Sequence, residues 1–218
     1  MSHGVHAVQH EVEHKIQHDE HGHGGGHGHG ESDSSQLNKR VALLIAVIAL
    51  FLAFSETLGK SAQTAALNFQ IEASNLWNFF QAKNIRRTMT IVATEMGKTD
   101  LAGATSDAQK AAITKQVDEW TKTAARYRSE PEAGGGKGEG TVELMRRAQE
   151  EEHKRDTSLA RYHHYEVASA AFQIGIVLAS ATVITGMVVL VWLAMGLGLI
   201  GIGFMAIGLF APHAVHLM

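Results

Sequence analysis

Val167 to Ala211 reads VASAAFQIGIVLASATVITGMVVLVWLAMGLGLIGIGFMAIGLFA, 45 residues without Asp, Glu, Lys, Arg or His. One α-helix of that length would extend about 68 Å, roughly twice the thickness of a bilayer's hydrocarbon core. A chain of 218 residues has too little other material to cover such a run on every side. Two antiparallel spans joined by a tight turn satisfy both limits. The pattern places them near Val167–Gly186 and Leu193–Ala211, with Trp192 as an interfacial anchor. Ala168, Gly175, Ala179, Thr182 and Gly186 recur at three- and four-residue spacing on the first of these helices. Ala194, Gly198, Gly201 and Gly208 do so on the second, with Met205 in the remaining slot. Lipid tails are as apolar as leucine, so helices in a bilayer associate through close backbone approach across small residues. Gly175, Ala179, Gly198, Gly201 and Gly208 are therefore the expected packing positions.

A second apolar block, Val41–Leu58, supplies another span of about 27 Å if it encloses Glu56 near one end. There the carboxylate can reach water or Lys60, while Lys39 and Arg40 anchor the opposite end. The mean hydropathy of −0.05 hides this segregation of apolar blocks from polar ones. Only two prolines occur, Pro131 and Pro212, both outside the long candidate helices. The expected fold is an all-α membrane protein with three transmembrane helices. A helical, coiled-coil-like soluble insertion separates the first from the second. The expected divisions are a His-rich head at 1–36, a first span at 37–60, a soluble region at 61–166, a hairpin at 167–211 and a tail at 212–218. Lys39 and Arg40 favour a cytosolic N-terminus, whereas Lys154, Arg155 and Arg161 favour a cytosolic middle region. The charge rule weakens across so long an insertion, and the balance tips slightly to a cytosolic middle.

Within the insertion, Ile71, Asn75, Asn78, Ala82, Ile85, Met89, Val92 and Met96 alternate at four- and three-residue steps. That is the spacing of a coiled-coil seam, in which Asn75 and Asn78 can select register and copy number. An intramolecular helical core would produce a similar pattern. Ile71, Trp77, Gln81, Lys83, Ile85, Arg86 and Met89 are the expected contact residues, for another copy of the chain or a different membrane protein. Ser106 caps a further helix over Asp107–Arg128, with Ile113, Val117 and Trp120 at helical spacing. Residues 129–140, carrying Pro131 and Gly134-Gly135-Gly136, read as a flexible linker. A charged helix from Val142 to Glu166 then continues into the second span.

Nine of the fourteen histidines fall in the first 29 residues. His6, His10, His14 and His18 would share one helical face, and His21, His23, His27 and His29 alternate with glycine. Neutral imidazoles at this spacing can chelate zinc, nickel or copper, although a flexible histidine tail does so whether or not a cell uses it. The net charge of −3 gives no reason to expect nucleic acid. Without cysteine, thiolate catalysis and cysteine zinc sites are excluded. Glu150 and His153 form one Glu-x-x-His spacing without the second copy a di-iron bundle needs. His163 and His164 are expected to snorkel at the interface. No nucleophile context or intramembrane acid–base pair is present, so the chain does not read as an enzyme.

The runs Leu37-Asn38-Lys39-Arg40-Val41-Ala42 and Trp77-Asn78-Phe79-Phe80-Gln81-Ala82-Lys83-Asn84-Ile85-Arg86 resemble an uncharacterised bacterial inner-membrane family. It is catalogued as domain-of-unknown-function family four-three-three-seven. His163-His164-Tyr165 and Phe172-Gln173-Ile174-Gly175-Ile176-Val177-Leu178-Ala179-Ser180 continue the likeness. The resemblance implies a helical membrane protein and brings no activity or catalytic residues. Three functions therefore stand open: a non-enzymatic protein acting through helix association, a metal-handling accessory using the head, and an ion-conducting oligomer.

Overall fold

A computed structural model describes residues 31–215. The histidines of the head lie outside the described residues. Among the described residues four helices follow one another: α1 (Glu31–Gly103), α2 (Asp107–Arg128), α3 (Thr141–Thr185) and α4 (Val188–Phe210). No strand occurs among the described residues. Three of these helices, α1, α3 and α4, are long and apolar enough to cross a membrane.

α1 is a single helix of 73 residues, about 110 Å long, uninterrupted by proline. Its inward edge repeats every seventh residue. Val41, Ile48, Ser55, Ala62, Leu76, Lys83 and Gly97 are buried along this ladder, with Phe69 and Thr90 half-buried between them. A straight helix drifts about 20° per heptad, so such a ladder keeps facing its neighbours only if the helices wind gently around one another.

α3 lies antiparallel against this edge. Phe51 stacks on Phe172 with ring centroids 6.1 Å apart. Further along, Ser55 Oγ donates to the Tyr165 carbonyl at 2.9 Å, and Trp77 Nε1 donates to Glu152 at 2.9 Å. Among the described residues two clusters form the core. Ile48, Ala168 and Phe172 gather Leu44, Phe51, Ile202 and Phe204 in the apolar part, while Leu76, Leu144 and Ala148 gather Trp77 and Phe80 in the polar part. Phe172 is fully buried at the centre of the apolar cluster.

α4 folds back on α3 after a turn at Gly186, whose φ of 70° is the left-handed C-cap conformation that glycine adopts without steric cost. Its N–H bonds the Thr182 carbonyl at 2.8 Å. The final helix therefore begins at Val188, five residues before the Leu193 expected from sequence, and Trp192 lies inside it. The early start follows from glycine alone ending α3, since no charge marks the turn.

α2 begins where Ser106 accepts a hydrogen bond from the Gln109 N–H at 3.2 Å. Asp107 in its first turn and Arg126 and Arg128 in its last complement the helix dipole. It packs on the distal end of α1, where Gly97 admits Val117 and Trp120.

The glycine-rich segment after α2, read from sequence as a flexible linker, closes into a compact loop. Gly134, Gly135, Gly136 and Gly138 take positive φ. Lys83 reaches Glu130 at 3.1 Å and Glu139 at 3.9 Å, Glu143 accepts from the Ser129 hydroxyl, and Arg147 donates to the Gly138 carbonyl at 3.1 Å.

Candidate interaction surface

The expected seam and the inward ladder occupy opposite sides of α1. Ile71, Asn75, Asn78, Ala82, Ile85, Met89, Val92 and Met96 are all exposed. Ile71 and Ile85 are each 59% accessible and Met89 68%, high values for large apolar side chains. Both rows keep a seven-residue period, which holds the seam about half a turn away from the helices that α1 packs against. No other described segment covers it. The intramolecular core uses the other edge, so the seam is an apolar stripe about 38 Å long facing outward.

The remaining expected contact residues divide between the two sides. Gln81 and Arg86 are exposed beside the seam. Trp77 and Lys83 are engaged inside the chain. Trp77 packs edge-on against Phe80 at 5.4 Å and donates to Glu152. Lys83 is buried over the Phe79 ring and holds the loop carboxylates. An amphipathic spacing rule could not have assigned a lysine to the packed edge. The signal available was its place seven residues after Leu76.

The expected packing positions lie where α3, α4 and α1 converge. Gly175, Ala179, Gly198, Gly201 and Gly208 are buried. A Cβ at Gly201 would stand 2.6 Å from Phe172, and one at Gly208 would stand 3.0 Å from His164 and Tyr165. The ring of Phe172 therefore occupies the space that Gly201 leaves open.

His164 departs from the expected snorkelling. It is buried, stacks beside Phe204 at 6.2 Å and shares a 3.0 Å hydrogen bond between Nε2 and the Pro212 carbonyl. Its Nδ1 has no partner among the described residues. The tail after α4 lies along α3, and this draws the ring inward. His213 approaches Thr157 at 3.2 Å and stacks on His153 at 6.2 Å. His163 stays near the surface, 3.7 Å from Glu166. Glu150 pairs with Arg146. Among the described residues no group of three or more His, Cys, Asp or Glu could hold a metal ion.

Glu56 is exposed, and no ion pair joins it to Lys60 among the described residues. Both border a shallow cavity of about 290 Å³, with Ser55, Gln63, Tyr162 and Glu166, where α1 and α3 leave the apolar stretch.

Two carboxylate and ammonium groups of the polar region depart from their ordinary titration. Partial desolvation pushes Glu143 up, but hydrogen bonds from Ser129 and from the Glu143 and Glu130 backbone, with the Arg146 charge, outweigh it and leave the carboxyl below its usual range. The hydrogen bond to Glu151 raises Lys154, against slight desolvation.

A family model described as a domain of unknown function, DUF4337, matches residues 37–211, from the start of the first apolar stretch to the end of α4. The chain belongs to this family. The match takes in the seam, the loop and the packed glycines alike, and the family's description names no activity. No curated protein and no solved structure matches the chain.

Proposed function

We propose that this member of the family is a non-enzymatic, multi-pass protein of the bacterial inner membrane that self-associates through the outer face of its helical arm. α1, α3 and α4 cross the bilayer over residues 37–60 and 167–211. The remainder of α1, with α2 and the first half of α3, forms an arm in water. One observation carries the reading: all eight seam residues of the arm face outward, while the chain completes its own core on the opposite edge. Leaving Ile71, Ile85, Met89, Val92 and Met96 in water forfeits about 1.5–3 kcal/mol for each that a partner could cover. The partner is a second copy, because an uncharged heptad stripe is complementary to itself.

Ile85→Asp with Met89→Asp tests the proposal. The detergent-solubilised wild type is expected to have the mass of several chains and the double variant the mass of one, with both recovered in the membrane fraction. A double variant that keeps the full mass of the assembly would refute the seam. A product that stays in the supernatant without detergent would refute the membrane reading itself.

A further inference from the structure

The exposed stripe does not end with the arm. Continued toward the N-terminus in the same three- and four-residue steps, it passes through Asn68, Thr64, Ser61 and Thr57. It then enters the apolar stretch at Phe54, Leu50, Val47 and Leu43. Each of these positions is exposed, Leu43 by 66% and Phe54 by 55%. One heptad row therefore runs outward-facing from Leu43 to Met96, across the boundary between the apolar and polar parts of α1.

We propose that α1 is the central helix of a parallel, in-register bundle of three or more copies, whose axis runs unbroken from the membrane span to the tip of the arm. The proposal rests on the membrane and self-association reading above and adds orientation, copy number and extent. Copies inserted the same way into one bilayer share one direction, so each seam residue meets its own counterpart. No charged residue occurs anywhere in the row, and self-pairing therefore sets no like charges face to face. Beside the row, parallel packing brings Gln81 to Arg86 of the next copy. Only at the tip does Glu95 meet another acid, Asp100, and there Lys98 lies 2.7 Å from Glu95.

The residue types set the number. Ile71, Ile85 and Val92 fall in the row equivalent to the second apolar position of a heptad, where β-branched side chains disfavour two-stranded packing and favour three or four strands. At the water boundary the row turns to small polar side chains, and two of its hydroxyls already have partners. Thr57 donates to the Ala53 carbonyl at 2.8 Å and Thr64 to the Lys60 carbonyl at 2.9 Å. Enclosing these two threonines in a helix bundle strands no donor.

The chain has no cysteine, so single substitutions report on one site each. Ile85→Cys on the arm, Leu50→Cys in the span and Leu199→Cys on the exposed face of α4 are made in the full chain and oxidised in native membranes. Diamide replaces copper as oxidant because the head is rich in histidine. Ile85→Cys and Leu50→Cys are each expected to give at least tenfold more disulfide dimer than Leu199→Cys. Light scattering of the purified protein should give three or more times 23.5 kDa. Cross-linking at Ile85 with none at Leu50 would refute the continuous axis and leave the arm contact standing. Cross-linking of Ile71→Cys to Met89→Cys, with neither reacting alone, would reveal antiparallel pairing and overturn the proposal, as would the mass of two copies. Single-copy mass with no cross-link at any site would remove the underlying self-association reading as well.

Discussion

Gly201→Ala adds one methyl group at the most crowded glycine of the α3–α4 contact. The new Cβ would lie 2.6, 2.8 and 2.9 Å from three carbons of the Phe172 ring, where ordinary contact begins near 3.4 Å. Phe172 is fully buried and stacked on Phe51, so its ring has no space into which to turn. α4 must instead move away from α3 by close to 1 Å, loosening the contacts of Ile202 and Met205 with the same cluster. Overpacking of this kind costs about 1–3 kcal/mol, against a gain of up to about 1 kcal/mol from replacing glycine in a helix. Gly203→Ala is the matched control, because a Cβ there meets nothing within 4 Å and retains only the gain. Thermal denaturation in detergent should place Gly201→Ala below the wild type and Gly203→Ala level with it or above. Trimming the ring with Phe172→Leu in the Gly201→Ala background should recover part of the loss. If Gly201→Ala proves as stable as Gly203→Ala, glycine at 201 is not what allows α3 and α4 to approach, and the packing account fails.

Removing both loop carboxylates with Glu130→Gln and Glu139→Gln strands the buried Lys83 ammonium and should cost about 1–3 kcal/mol, whereas Lys83→Met leaves behind only carboxylates that can reach water and should cost less. The reverse order in thermal denaturation would refute Lys83 as the anchor of the loop. The Glu143 carboxyl is held below its ordinary value of 4.5, so its contribution to stability is present above that pH and is lost as pH falls through the lower folded value. Wild type should therefore exceed Glu143→Gln in melting temperature at neutral pH, with the gap closing below about pH 4.5. A gap that widens on acidification would reverse the assigned sign. The Asp substitutions at Ile85 and Met89 should reduce the solution mass to that of one chain without unfolding the arm, because both positions face outward.

The helices were largely legible from the sequence because their signals are local. Ser106 announces its helix through a side-chain oxygen three residues ahead of a free N–H, and the structure starts α2 there. The continuation of the charged 142–166 segment into the apolar run required only the absence of any breaker. The second apolar helix ends at Gly186 as the sequence suggests, but the last helix starts five residues earlier than expected, because the only signal for the turn is a backbone conformation at Gly186 in a region where glycine is common. Tertiary features were harder to read. The inward ladder of α1 passes through Ser55, Lys83 and Gly97, whose burial depends on a carbonyl, two carboxylates and an indole supplied from elsewhere in the chain. A hydropathy pattern therefore finds the outer stripe, which is more apolar than the inner edge of the arm. His164 shows the same gap: only the course of the tail through Pro212 makes an imidazole beside a long apolar run an interior residue.

With no proline and no internal break, α1 behaves as a stiff shaft. Bending is resisted by α3 along most of its inner edge, and Gly59, the one glycine at the foot of the polar part, is itself buried on that edge beside Tyr165. Torque applied near Met96 is thus delivered about 80 Å away at Leu43 with little lost to flexing between them. An event at the distal end would turn the foot of the shaft rather than swing the arm on a joint.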